Sequence, residues 1–168
     1  AIREMLEIFP WGETDGAHLG IKMEDAESHA LTCTPDLYHV DPCYVEVKFD
    51  SRTPVMATKE NCQDAAEKTA RAHGFEFETP GMIPPHRVAA DSEFVQKLLH
   101  AYEHVTGLKG EAMAIGGGTY VHDIKNGVAF GAVLPGIDTH MHGADEFFDL
   151  ENIVLATKVY AEAIIELC

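Results

Sequence analysis

Long apolar runs are missing from this 168-residue chain. None approaches the roughly 18 consecutive residues that a bilayer-spanning helix requires, so no membrane partner is expected. Basic residues are scarce: 12 Lys and Arg stand against 28 Asp and Glu, for a net charge of −16. A surface of that sign repels phosphate backbones and anionic lipid, which excludes nucleic acid as a partner. Only four cysteines are present (Cys33, Cys43, Cys62, Cys168), with no C-x-x-C pair. A zinc ribbon and a disulfide framework are therefore excluded, and reduced thiols in a cytoplasmic protein are expected. An initiator Met and a signal-peptide pattern are also lacking. The opening Ala1-Ile2-Arg3-Glu4-Met5-Leu6 reads as the middle of a helix, so the chain is expected to be a piece of something longer. What is present is ordinary globular material. Hydrophobic residues make up 46% and charged residues 24%, enough for one ordinary domain or two small ones. Ten histidines are more than chance suggests.

Along the chain, Ile2, Met5, Leu6 and Phe9 recur at helical spacing until Pro10 stops the run. Residues 11–29 are rich in glycine and acid and read as a loop. Short strands are expected at 30–34 and, more strongly, at 44–50, where Val45, Val47 and Phe49 share a face. A helix over 59–73 carries a stripe of small residues (Cys62, Ala65, Ala66, Thr69, Ala70), and Gly74 closes it. Phe75 to Thr79 alternates like another strand. The run Pro80-Gly81-Met82-Ile83-Pro84-Pro85 punctuates the chain and is taken as a domain boundary, giving domains at 1–83 and 84–168. The first half is an α+β layer short of one strand, whose open edge again points to missing chain. The second half begins with a helix capped near Asp91 or Ser92 and ended by Gly107. A continuous apolar run at 128–134 reads as a buried strand. Asp149 caps a last helix to about Leu167, with Leu150, Ile153, Val154, Tyr160, Ile164 and Ile165 expected inward. The fold class is α/β.

Three places concentrate chemistry. Asp138-Thr139-His140-Met141-His142-Gly143-Ala144-Asp145-Glu146 follows the apolar run and mixes imidazole with carboxylate, the donors zinc and manganese favour. A solvated acidic loop is the plainer reading. A metal site needs about three protein ligands, so any ion would be shared with residues elsewhere. Gly116-Gly117-Gly118-Thr119 could converge backbone N–H groups on a small carboxylate, or simply form a tight turn. It lacks the lysine of a P-loop and the spacing of a dinucleotide fingerprint. Arg52 ends the stronger strand and could hold a carboxylate through two parallel hydrogen bonds; a surface salt bridge is the alternative.

Taken together, Ile115 to Tyr120, Asn126 to Ala132, Pro135-Gly136 and His142-Gly143-Ala144-Asp145-Glu146 resemble the C-terminal signature of bacterial carnosinase-like dipeptidases. These belong to the zinc metallopeptidase family that includes aminoacylase, acetylornithine deacetylase and succinyl-diaminopimelate desuccinylase. Leu19-Gly20-Ile21, Glu24-Asp25, Leu31-Thr32 and Arg52-Thr53-Pro54 resemble the later part of that family's lid domain. The resemblance implies a lid portion (1–83, ferredoxin-like without its first strand) and the C-terminal part of a three-layer catalytic domain (84–168). It implies a pair of zinc ions, or other divalent metals, and hydrolysis of a dipeptide or small amide beside a free carboxylate. His142 matches a metal-ligand histidine, Arg52 the lid arginine that holds the substrate carboxylate, and Gly116, Gly117, Gly118 and Thr119 the glycine-rich substrate loop. Glu146 is expected to orient the metal histidine. His140 has no counterpart, and His122 stands where relatives carry an arginine.

The family's H-x-D motif, paired glutamates and lid histidine have no match here, so no catalytic residue is assigned within this chain. The general base is expected on the missing N-terminal part, and the chain alone is expected to be inactive. A homodimer is possible within the family. Two alternatives stand beside the dipeptidase: an N-acyl amino acid deacylase or desuccinylase, and a non-catalytic binding or dimerisation module.

Overall fold

The computed structural model describes residues 1–131 and 133–168. By its internal contacts the chain divides into two compact units, residues 1–86 with 114–118, and residues 87–113 with 119–168. It mixes helices with small antiparallel sheets, an α/β chain as the sequence implied. Among the described residues no helix is long and apolar enough to cross a membrane.

In the first unit, α1 (Ile2–Ile8) buries Met5 and Ile8, one turn apart, and stops before Pro10. The segment expected as plain loop holds a small hairpin, β1 (Glu24–Asp25) and β2 (His29–Ala30). Its turn is made by a side chain: Asp25 Oδ1 accepts the backbone N–H groups of Glu27 at 3.0 Å and Ser28 at 2.6 Å. Strands this short leave no alternation to read. β3 (Thr32–Val40) pairs antiparallel with β4 (Val45–Arg52) in a register that sets Thr32 opposite Arg52 and Val40 opposite Val45. β3 outruns the expected 30–34 because the ladder absorbs Pro35, which has no N–H to donate, in an irregularity between Pro35 and Leu37.

Thr58 then caps a π-helical turn, Lys59–Gln63, that continues into α2 (Asp64–Ala72). Cys62, Ala66 and Ala70 are buried, so the small-residue stripe faces the core as expected. Gly74, at φ +80°, ends the run. Ile8, Leu19, Ile21, Leu31, Cys33, Ala57, Cys62 and Ala66 form the core, and Phe9, Phe49, Phe75 and Phe77 pack on it. The strand expected at 75–79 does not form. Phe75 and Phe77 do turn inward while Glu76 and Glu78 face solvent, but among the described residues the segment has no strand partner. Alternation there records one-sided burial without a hydrogen-bonded ladder.

The second unit is built on α3 (Glu93–Thr106) and α4 (Leu150–Leu167). Ser92 Oγ accepts the Val95 N–H to cap α3, Gly107 ends it, and Asp149 Oδ1 accepts the Glu151 N–H to cap α4. Leu98, Ala101 and Ala163 form the core, with Phe94, Val128 and Phe130 against it. Outside it, His100 and His104 on α3 pair with Glu166 and Glu162 on α4, at 2.9 and 2.7 Å. The face expected to turn inward on α4 does not: Leu150 is 77% exposed and Ile165 71%, and Ile153, Val154, Tyr160 and Ile164 are exposed as well. Close approach to Ala101, which is fully buried, needs a small residue, and Ala163 supplies it, while Val159 is the other residue that α4 buries. The buried strand expected at 128–134 is also corrected. Residues 128–131 and 133–134 form no strand, and Ala132 lies outside the described residues. Val128 and Phe130 instead cover the helix pair on one side, and no strand lies beside them among the described residues.

Candidate functional site

The end of β4 is fixed from both sides. Ser51 Oγ donates to Thr32 O at 3.1 Å, which locks the register opposite Arg52. Beyond it Pro54 is fully buried. The Val55 N–H donates to Ser28 Oγ at 2.7 Å and the Met56 N–H to Asp25 Oδ2 at 3.3 Å. The Ser28 hydroxyl donates in turn to both oxygens of Asp25. The donors to Asp25, the Ser28 N–H foremost, hold its carboxyl below the usual carboxylate range against the opposing effect of burial. Sequence reading had not assigned this anchor; the D-x-x-S spacing of Asp25 and Ser28 was its one signal.

Arg52 is exposed, and its Nε donates to Asp50 Oδ1 at 2.8 Å. The triple-glycine segment lies against it in the same unit. A Cβ built on Gly116 would stand 3.6 Å from Arg52 Cβ, and one on Gly118 would stand 4.0 Å from Arg52 Nη1. None of the three glycines has a positive φ, so backbone strain does not demand them. They present bare peptide groups beside a guanidinium. The structure thus brings together four residues singled out separately in the sequence: Arg52, Gly116, Gly117 and Gly118. The salt bridge to Asp50 is also present, so both readings of Arg52 hold at once. A planar fork with one edge occupied retains a second edge for a carboxylate.

Thr119 belongs to the other unit, where it precedes a 3-10 turn, Tyr120–Asp123. Its Oγ1 is buried and takes no hydrogen bond among the described residues. His122 Nδ1 lies 3.0 Å from Thr119 O. In that unit too, residues 138–147 form a tight loop: the His140 N–H donates to Asp138 Oδ1, the Gly143 N–H to His140 O at 2.7 Å, and the Phe147 N–H to Thr139 O. His140 stands edge-on to Phe147 with ring centroids 5.6 Å apart. His140, His142 and Asp145 all adopt positive φ, between 54° and 62°. Left-handed non-glycine residues in such density mark a strained segment, and strain of this kind gathers at functional sites. Gly143 is required, because a Cβ there would meet His140 O at 2.9 Å. His142 and Glu146 both face solvent, and among the described residues no hydrogen bond joins them.

The donor chemistry of this loop suits zinc, but the donor count does not. Among the described residues only Glu4, Glu7 and His73, in the other unit, bring three possible ligand atoms together. His142 offers one imidazole, and the described residues close no metal centre around it. The two buried thiols add nothing reactive: burial, with Cys62 nearby, pushes Cys33 up to about 12, and burial also raises Cys62.

Against known proteins, residues 2–166 match the model of peptidase family M20/M25/M40. The chain belongs to that family. It is 35% identical over 157 residues to a Bacillus subtilis (strain 168) protein named "Putative dipeptidase YtjP", covering 93% of this chain and 33% of that protein. It is 41% identical over 101 residues to a Staphylococcus haemolyticus protein of the same designation, SH1171, covering 60% of this chain and 22% of the relative. The M20/M25/M40 chain described here thus spans about a third or less of the length of these relatives.

Proposed function

We propose that this chain is the carboxylate-recognising and metal-completing portion of a zinc-dependent metallodipeptidase. In this reading residues 1–83 form the second part of a lid domain and residues 84–168 the C-terminal part of the catalytic domain. Arg52 grips the free C-terminal carboxylate of a dipeptide, and the backbone of Gly116, Gly117 and Gly118, with Thr119, lines the substrate. His142 contributes one imidazole to a dinuclear centre completed by residues outside this chain, and Glu146 orients that ring. When bound, zinc supplies a bridging water of lowered pKa and polarises the scissile carbonyl. The general base comes from outside this chain, so the chain by itself is inactive. A cytoplasmic enzyme fits the reduced-thiol pattern of the cysteines.

The observation that carries this reading is the placement of Arg52 against Gly116 and Gly118 within one compact unit. A guanidinium with one edge held by Asp50 and bare peptide groups alongside is a carboxylate site in its chemistry. The strain at His142 supports the metal assignment.

The test uses the full-length parent enzyme with paired dipeptides that differ only in a free or amidated C-terminus. Arg52→Ala is expected to lower kcat/KM for the free acids by 10²-fold or more, roughly the worth of a charge-assisted bidentate pair, and to leave the amides nearly unchanged. Equal losses on both would remove Arg52 from the site. N-acetyl and N-succinyl amino acids form a third arm, since preferential turnover of these would replace the dipeptidase with a deacylase. In the isolated chain, His142→Gln is expected to leave zinc affinity unchanged, because one imidazole binds weakly alone. Turnover by the isolated chain would overturn the division of labour proposed here.

A further inference from the structure

We infer that Glu4, Glu7 and His73 form a second divalent-cation site, of the zinc class, that clamps α1 to the end of α2. The three side chains come from two elements far apart in sequence, and their ligand atoms lie within 4.8 Å of one another. His73 Nδ1 stands 2.9 Å from Glu4 Oε2 and 3.7 Å from Glu7 Oε2. Ligands around a tetrahedral zinc at ordinary bond lengths sit about 3.3 Å apart, so small side-chain adjustments close this triangle. One imidazole and two carboxylates leave a fourth position for water.

The backbone preorganises the set. Burial of Met5 and Ile8 fixes the roll of α1, so Glu4 and Glu7, three residues apart, project on one side. His73 is held by its N–H to Thr69 O and Ala70 O, and the chain turns away at Gly74. Ile8 and Ala66 belong to the same core, so the two ligand-bearing elements are already docked. The charge balance is short of a cation. Among the described residues neither Glu4 nor Glu7 pairs with a lysine or arginine. Two carboxylates therefore converge on one imidazole, a donor set suited to zinc, cobalt or nickel.

This site is independent of His142 and of the reading proposed above, and it is tested on the 168-residue chain itself. Zinc is titrated by calorimetry at pH 7.5, with cobalt absorption as a second probe. One equivalent is expected to bind saturably and to raise the melting temperature. Affinity should fall at least tenfold in His73→Gln and in Glu7→Gln, which alters an exposed residue and leaves the fold intact. It should be unchanged in His142→Gln and in the double variant His100→Gln, His104→Gln, which removes the other histidine cluster. No saturable binding would overturn the proposal. So would full affinity in His73→Gln and Glu7→Gln, or stabilisation that appears only on acidification and needs no metal, which would make the cluster a plain His–Glu ion pair.

Discussion

Gly16→Ala tests whether the core of the first unit is packed as tightly as its geometry implies. Gly16 is buried at φ +66°, and a Cβ there would stand 2.6 Å from Ile21 Cγ1, 3.1 Å from Ile21 Cδ1 and 3.3 Å from Cys33 Cβ. Holding an L-residue in the left-handed region costs about 1–2 kcal/mol. Ile21 is almost wholly buried and Cys33 lies on a strand, so neither can swing into solvent, and overpacking adds about 1–3 kcal/mol. The sum is about 2–5 kcal/mol. Gly12 provides the control, since it has φ +84° with open space around it. Gly12→Ala therefore carries only the backbone cost, about 1–2 kcal/mol. The four thiols supply the assay. Cys43 and Cys168 are exposed and should react with a disulfide reagent at once, whereas Cys33 and Cys62 are buried and react only when the unit opens. Relative to Gly12→Ala, Gly16→Ala should speed the slow phase by about 5- to 150-fold, the equivalent of the packing cost alone. Identical slow phases in the two variants would refute the steric argument and show that Ile21 yields freely.

Other perturbations separate the two units and their charges. Leu98→Ala should destabilise the α3–α4 pair by about 2–5 kcal/mol, seen as lost helical circular dichroism in urea, while the slow thiols of the first unit keep their rate. Ser92→Ala removes the hydroxyl that caps α3 and should cost about 1 kcal/mol in the same titration. Asp25 has a folded pKa below its ordinary 3.8, so it adds stability above that value that is lost as pH falls through the folded pKa. Melting temperature should therefore drop on acidification below about pH 4. Asp25→Asn should be less stable at neutral pH and flatter across that acid range; parallel pH profiles would discount the Asp25–Ser28 anchor.

Helix ends were legible because local rules govern them. Ser92, Asp149, Gly74 and Gly107 sit where capping chemistry places them, and the stripe of Cys62, Ala66 and Ala70 faces the core. Strand pairing is non-local, and there local patterning misled. Phe75 and Phe77 alternate as a strand would, and Val128 to Leu134 is as apolar as a buried strand, yet among the described residues neither segment has a strand partner. The face of α4 failed for a related reason. Bulk marks which residues can be buried, whereas close packing with the fully buried Ala101 selects Ala163. Arg52 and the triple glycine lie more than sixty residues apart, and no periodicity in the sequence could have joined them.

Asp50 decides how that pairing works, because it can either aim Arg52 or compete with its ligand. The pair is solvent-exposed, at 51% and 47% for the two side chains, so its worth to stability is at most about 1 kcal/mol. In the proposed site its worth is orientational. Asp50 Oδ1 occupies Nε, which turns Nη1 toward the glycine segment, where a Cβ on Gly118 would lie 4.0 Å away. A carboxylate bound there would take the terminal edge of the guanidinium and leave the Nε contact intact, so the two anions need not exchange. Asp50→Asn in the parent enzyme is then expected to leave the melting temperature within about 1–2 °C, in keeping with a weak surface pair. It should raise KM for free-acid dipeptides several-fold, because a long side chain freed from one geometry loses orientation on binding. Competition predicts the opposite sign: with Asp50 neutralised, the guanidinium would be released to the substrate and KM would fall. A fall in KM would refute the orienting role and leave Asp50 as an internal rival for the same guanidinium.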